Sequence, residues 1–191
     1  RLQVITDSLT GAANRTGLEQ ALQDCIRKYS AAADAGFALM LINLDGFKRV
    51  NEALGLPVGD VVLVAAAKRL ISCLKPSDTV ARIGGDEYAV ILPLAGGEDL
   101  AGRIGERVIK VLRESYEVHK NTVRLGASIG ITFFPNDGKD MPTLLRNAEL
   151  AMSRAKAAGG NHCTFFNNGM AEAAELRSAL ESDMHQALRR N

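Results

Sequence analysis

The chain reads as an α+β fold, a sheet packed against helices, and three observations predict it. Apolar residues recur at helical spacing from Asn14 to Ala33. A nearly unbroken apolar run spans Phe37 to Leu44, and two strand-like runs flank a pair of glycines between Val80 and Leu92. Helical and strand periods alternate with no internal repeat, as expected of layers around one core. At 191 residues such a chain can bury roughly 70% of its unfolded surface, enough for a stand-alone domain.

The first helix, Asn14 to Ala33, carries Leu18, Ala21, Leu22, Cys25, Ile26 and Tyr29 on one face, and Gly36 stops it. Phe37 to Leu44 is apolar at both alternating sets of positions, as a strand buried on two faces requires, and Asp45 closes it. A short helix, Phe47 to Leu54, ends at Gly55. A longer one rich in alanine and valine runs from Pro57 to Leu74, with Pro57 suited to a first turn. Val80 to Ile83 and Tyr88 to Leu92 then form a hairpin around Gly84 and Gly85, residues free to take positive φ.

Glu98 to Glu114 reads as a helix, followed by strand-like runs at Tyr116 to His119 and Val123 to Phe134 and a turn at Pro135 to Gly138. Met141 to Ala158 is another amphipathic helix. Gly159, Gly160 and Asn161 lead from it into a short strand, His162 to Phe166. In the last segment, Met170 to Arg190, Leu176, Leu180, Met184 and Leu188 stand four apart on an otherwise charged helix. That stripe needs a cover, either its own domain or a further one.

A net charge of +1 and 24% charged residues exclude a basic nucleic-acid footprint, so any anionic ligand must be held locally. Cys25, Cys73 and Cys163 are odd in number and widely spaced, which suits a reducing compartment rather than a disulfide framework. His119, His162 and His185 lack metal-ligand spacing. No apolar run reaches membrane-spanning length and the first residues are no signal peptide, so a cytoplasmic segment without membrane contact is expected. The abrupt ends suggest a domain of a longer protein.

Candidate chemistry gathers at two turns. Asp86 and Glu87 on the glycine turn form either a solvated hairpin tip or a seat for a metal ion against a polyphosphate. The strand Phe37 to Leu44 delivers Asn43, the Leu44 carbonyl and Asp45 to its end, where Gly46, Phe47 and Lys48 can aim backbone N–H groups at phosphate. Asn51 and Asp60 match the Watson–Crick edge of a guanine, and each also suits a cap or an exposed surface. Lys156 complements its helix dipole or reaches a phosphate.

These segments together resemble the diguanylate cyclase, or GGDEF, domain family. Asp7-Ser-Leu-Thr-Gly-Ala-Ala-Asn-Arg15 is similar to its opening motif, and Leu44-Asp-Gly-Phe-Lys-Arg-Val-Asn51 with Gly59-Asp60 to its guanine and phosphate segment. Gly84-Gly-Asp-Glu-Tyr88 is similar to its signature, and Ala127-Ser-Ile-Gly-Ile131 with Ala155-Lys156 to its closing motifs. The resemblance implies a palm-like (nucleotidyl cyclase/ferredoxin-like), mostly antiparallel central sheet flanked by helices. Residues 1–167 would be the GGDEF domain, and 168–191 a linker helix towards an EAL phosphodiesterase domain.

The family's reaction condenses two GTP, one per domain of a facing homodimer, to cyclic di-GMP and two pyrophosphates. By resemblance, Mg²⁺ is held at Asn43, the Leu44 carbonyl and Asp86, while Asp86 and Glu87 are the catalytic acids. Asn51 and Asp60 hold guanine, and Phe47, Lys48, Gly85 and Lys156 surround the nucleotide's phosphates. Lys75 and Asp78 stand at the product-inhibition site.

Besides Tyr88 for the signature's phenylalanine, a small aromatic change, four positions depart from the family pattern. Asn43 replaces an aspartate, and a unit charge about 4 Å from its partner is worth roughly 4 kcal/mol at an effective dielectric near 20. Gly160 replaces an arginine, a bidentate phosphate donor. Lys75 replaces the arginine of the inhibitory site and lacks its planar fork, which leaves that site degenerate. Leu56 stands where a histidine is common. The expectation is a GTP-binding regulatory domain with weak or no turnover and weak or single-site Mg²⁺ binding. The alternatives are a working diguanylate cyclase and a dimerisation scaffold without nucleotide.

Overall fold

The longest strand is the axis on which the molecule is built. The computed structural model describes residues 4–32, 35–94 and 96–189. Its elements run α1 (Arg15–Ser30), β1 (Gly36–Asp45), α2 (Phe47–Leu54), α3 (Leu56–Cys73), β2 (Thr79–Gly84), β3 (Glu87–Leu94) and α4 (Gly97–Arg113). There follow β4 (Tyr116–Val118), β5 (Asn121–Val123), β6 (Gly126–Phe134), α5 (Met141–Ala157), β7 (Cys163–Phe165) and α6 (Asn168–Arg189). A five-stranded sheet in the order β2-β3-β1-β6-β7 is antiparallel throughout except for the parallel β6–β7 pair.

Because side chains alternate across a strand, β1 serves two cores at once. Ala38, Met40, Ile42 and Leu44 pack with α3 and α4 residues such as Val62, Leu70 and Val108. Phe37, Leu39 and Leu41 pack on the other face with Leu18 and Leu22 of α1 and Ala148 and Met152 of α5. Asn43 and Asp45 continue this second set. The apolar run expected from sequence is therefore a strand buried on both faces, and its polar end lies on the α1/α5 side.

Local signals set most element ends. Asn14 caps α1 by accepting the Gly17 N–H at 2.9 Å, and Asp140 caps α5 by accepting the Thr143 N–H at 2.9 Å. At the far end of the molecule, Arg69 of α3 donates to the Val111, Glu114 and Ser115 carbonyls and lies 3.8 Å from the centroid of the Tyr116 ring. It thereby satisfies carbonyls at the C-terminus of α4 that have no partner within the helix.

Two sequence expectations need correction. The run Val123 to Phe134 is not one strand: β5 ends at Val123, and β6 begins at Gly126. The short β4–β5 pair is a two-stranded sheet of its own, apart from the central one. The short pair alternates buried and exposed residues, with Glu117 and Thr122 outward, whereas β6 is buried at nearly every position. The stripe of the last helix is not covered by its own domain. Phe166 and Met170 are buried with Ala151 of α5, while Leu176, Leu180, Met184 and Leu188 are 56–72% exposed. Among the described residues no helix is long and apolar enough to cross a membrane.

Candidate nucleotide site

The strand register gathers residues that lie far apart in the chain. Asn43 stands opposite Glu87 on one side and Ser128 on the other, so these three form one row across the sheet. The Leu44 N–H donates to the Asp86 carbonyl at 3.1 Å, fixing the signature turn against the end of β1. The backbone at Asn43 and Leu44 thus lies against the turn that carries Asp86 and Glu87. Asn43 itself is buried, at 6% exposure.

The turn is built for close approach of a ligand to backbone. Gly84 has φ 154° and Gly85 φ 52°, and a Cβ on either would meet open space. Arg82 braces the turn from behind. Its Nε and one terminal nitrogen donate to the Gly85 carbonyl at 3.0 and 2.9 Å, while the other donates to the Asp7 carboxylate at 3.1 and 3.3 Å. Burial works to raise the pKa of Asp7, but the hydroxyl and N–H of Thr10 and the Arg82 charge outweigh it and hold the carboxyl below its ordinary value.

Tyr88, the last residue of the signature, is fully buried and donates its hydroxyl to the Leu63 carbonyl of α3 at 2.7 Å. That bond explains how a tyrosine is accommodated in an apolar slot, and burial pushes its pKa upward.

Asp45 is occupied internally. Ser128 Oγ donates to its carboxylate at 2.8 and 3.0 Å, and the Asn161 N–H donates to Oδ2 at 2.9 Å. Gly160, beside it, has φ 72°, and a Cβ there would stand 2.7 Å from Asp45 Oδ2. The lost arginine at this position is therefore more than a missing donor. The loop has a backbone shape that disfavours any side chain, let alone a long one.

The other candidates fall as follows. Asn51 lies against Gly59, whose missing side chain makes the room, and its Oδ1 is buried without a hydrogen-bond partner. Asp60 is exposed on the first turns of α3, and Lys156 is exposed near the end of α5. Phe47 is buried in the core, which leaves only its backbone for a ligand. Lys48 is exposed and reaches Glu52 at 3.7 Å. At the pair that the resemblance assigns to product inhibition, Asp78 accepts the Lys75 N–H at 2.8 Å and so closes its own turn.

Asp86 is the carboxylate of the three-donor set expected for a metal, with an amide at Asn43 and a carbonyl at Leu44 as neutral oxygens. Mg²⁺ is held in many sites by one or two carboxylates together with substrate phosphates, so this set fits one such ion better than two. Among the described residues, no three His, Cys, Asp or Glu side chains cluster as a metal site. Sequence reasoning overlooked the roles of Arg82, Asp7 and Ser128, because partners 75 and 83 residues apart leave no spacing signal.

The family model for the diguanylate cyclase GGDEF domain matches residues 4–162. The chain belongs to the GGDEF domain family. Among curated proteins, this GGDEF domain is 38% identical over 188 residues to the bifunctional diguanylate cyclase/cyclic di-GMP phosphodiesterase MucR of Pseudomonas aeruginosa, covering 96% of the chain and 27% of that protein. It is 36% identical to the cyclic di-GMP phosphodiesterase NbdA of the same species, covering 96% of the chain and 23% of that protein. The GGDEF domain thus spans about a quarter of the length of these relatives. The solved GGDEF domain of TpbB from Pseudomonas aeruginosa superposes with a TM-score of 0.84 at 34% identity, covering 89% of this chain and 99% of that one. The mostly antiparallel sheet flanked by helices is the architecture of GGDEF structures.

Proposed function

We propose that this GGDEF domain binds GTP in a regulatory role within a cyclic di-GMP signalling protein, and that its own condensation of GTP is impaired. The observation that carries the reading is the row Glu87–Asn43–Ser128. A neutral amide occupies the position of the family's metal-binding aspartate, and the next carboxylate along β1, Asp45, is consumed by Ser128 and Asn161.

The residues around the row support retained binding. Asn51 Oδ1 is an acceptor without a donor among the described residues, packed against Gly59; turned outward, it would accept from a guanine amino group, removing a penalty of about 1–3 kcal/mol. Asp60 would accept from the guanine ring N–H, and the backbone of Phe47, Lys48 and Gly85 with the Lys156 ammonium would meet the phosphates. Glu87 would take the proton from an attacking 3′-hydroxyl in a facing copy. Bound at Asn43, Leu44 and Asp86, Mg²⁺ would supply charge neutralisation on the triphosphate. With one anionic ligand fewer, the step that most needs that charge suffers most.

Residues 1–167 would form the GGDEF unit and 168–191 a linker to an EAL domain in a cytoplasmic portion of the parent, in line with the phosphodiesterase names of MucR and NbdA. The intact Asp86–Glu87 turn favours one competing reading, a working cyclase. Calorimetric titration with GTP, using Asn51→Ala and Asp60→Ala as controls, tests binding. Incubation with GTP and Mg²⁺ or Mn²⁺ tests turnover. Absence of binding at millimolar GTP leaves a scaffold, and appreciable cyclic di-GMP overturns the impaired reading.

A further inference from the structure

The α2 helix has a second polar neighbourhood, on the face away from Asn51. Here a groove of about 370 Å³ runs between α2 and the β5–β6 connection, with Arg49 on one wall and Arg124 on the other. Both arginines are exposed, and neither forms an ion pair among the described residues. The acidic residue in the lining is Asp45, whose oxygens already accept from Ser128 and Asn161.

Gly46 closes one end, and the Arg49 guanidinium folds over it, 3.0 Å from where a Cβ would stand. The walls between the charges are apolar, with Val50, Leu54 and Leu125 among them. Two forked cations lining one groove, neither ion-paired to the single carboxylate among its described residues, Asp45, are suited to an anion that accepts bidentate bonds. The groove is too small for a folded partner element and its charge too concentrated for an apolar ligand. In a chain of net charge +1, this is a local concentration of positive potential rather than a general one.

We propose that the Arg49–Arg124 groove binds a di- or triphosphate group. The site is independent of the guanine contacts, and its position beside Asp45 and Gly46 places it at the edge of the phosphate turn, where Gly160 offers no guanidinium. The probe is inorganic pyrophosphate, titrated calorimetrically into the full chain with and without saturating GTP. Wild type is expected to bind it, and Arg49→Gln/Arg124→Gln to weaken that binding at least roughly tenfold, since a hydrogen bond to a charged group is worth about 1.5–3 kcal/mol.

Competition by GTP assigns the groove to the phosphate tail of the nucleotide, and simultaneous binding assigns it to a separate polyphosphate; either is the site proposed. Wild-type binding that the double variant retains overturns it, as does no pyrophosphate binding. Amide shifts in the wild-type NMR spectrum provide a measurement that needs no variant. Perturbation centred on Gly46, Arg49 and Arg124 is expected, and shifts elsewhere alone would refute the groove. Pyrophosphate binding that does not depend on the two arginines, beside GTP binding that does depend on Asn51, sinks this site while leaving the guanine pocket standing.

Discussion

Two loops meet the C-terminal end of β1, and they treat charge in opposite ways. The hairpin turn between β2 and β3 is braced through its backbone: Arg82 holds the Gly85 carbonyl, and neither Asp86 nor Glu87 forms an ion pair among the described residues. The loop after α5 is held through a carboxylate. Asp45 accepts from Ser128 and Asn161, so the charge that could face a ligand is used to fix the chain. A brace on backbone atoms leaves side chains available for chemistry, whereas a brace on a carboxylate removes one.

The largest effect that would sharpen this contrast is catalytic. Asn43→Asp restores a second anion between Glu87 and Ser128 and is expected to raise cyclic di-GMP formation by at least about 10- to 100-fold, the scale of metal-site losses. Chromatography of the products measures it, and an unchanged rate places the defect elsewhere. Adding Gly160→Arg, a natural restoration on sequence grounds, is expected to bring no further gain and a lower melting temperature. A side chain there meets Asp45 at a φ of 72°.

Next in size is the hairpin brace. Arg82→Met leaves Asp7 without its cation and frees the turn. Both side chains are mostly buried, 14% and 17% exposed, so a loss of about 3 kcal/mol is expected in urea unfolding. The same pair predicts a pH dependence. Asp7 has a depressed folded pKa, so its stabilisation is complete above the unfolded value of about 3.9 and is lost as pH falls through the folded one. The acid limb of the stability curve should flatten in Arg82→Met; an unaltered limb would show that other carboxylates dominate.

Asp45→Asn tests the closing loop. It weakens the charge-assisted bonds from Ser128 and Asn161, and about 1.5–3 kcal/mol should be lost, with faster amide exchange at Asn161. If exchange there is unchanged, the carboxylate is not what fixes the loop. The smallest effect belongs to Tyr88→Phe, which removes one buried hydroxyl bond to Leu63 and should cost about 1 kcal/mol by thermal unfolding while leaving nucleotide affinity unchanged.

Much of the fold was legible because its signals are local. The one-faced spacing of α1, the two-faced apolar run of β1 and the glycine pair at 84–85 each encode their conformation within a few residues, and their ordered motifs identify the family. The split of 116–134 into two sheets was not legible. Val123, Leu125 and nearly all of β6 are buried, and which sheet a run joins is decided by partners elsewhere in the chain. The site divides in the same way. Which residues are present at 43, 86, 87 and 160 is a matter of sequence, but whether a carboxylate is free is not.

The sequence by itself determined the family, most of the order of elements and the neutral residue at position 43, since residue identity and short-range periodicity need no partner. Only the tertiary structure decided that Arg82 joins Asp7 to Gly85, that Asp45 is spent on Ser128 and Asn161, and that Arg49 and Arg124 line one groove. Those pairings span dozens of residues. They exist only once strand register and helix packing have brought their atoms within hydrogen-bonding reach or around a common cavity.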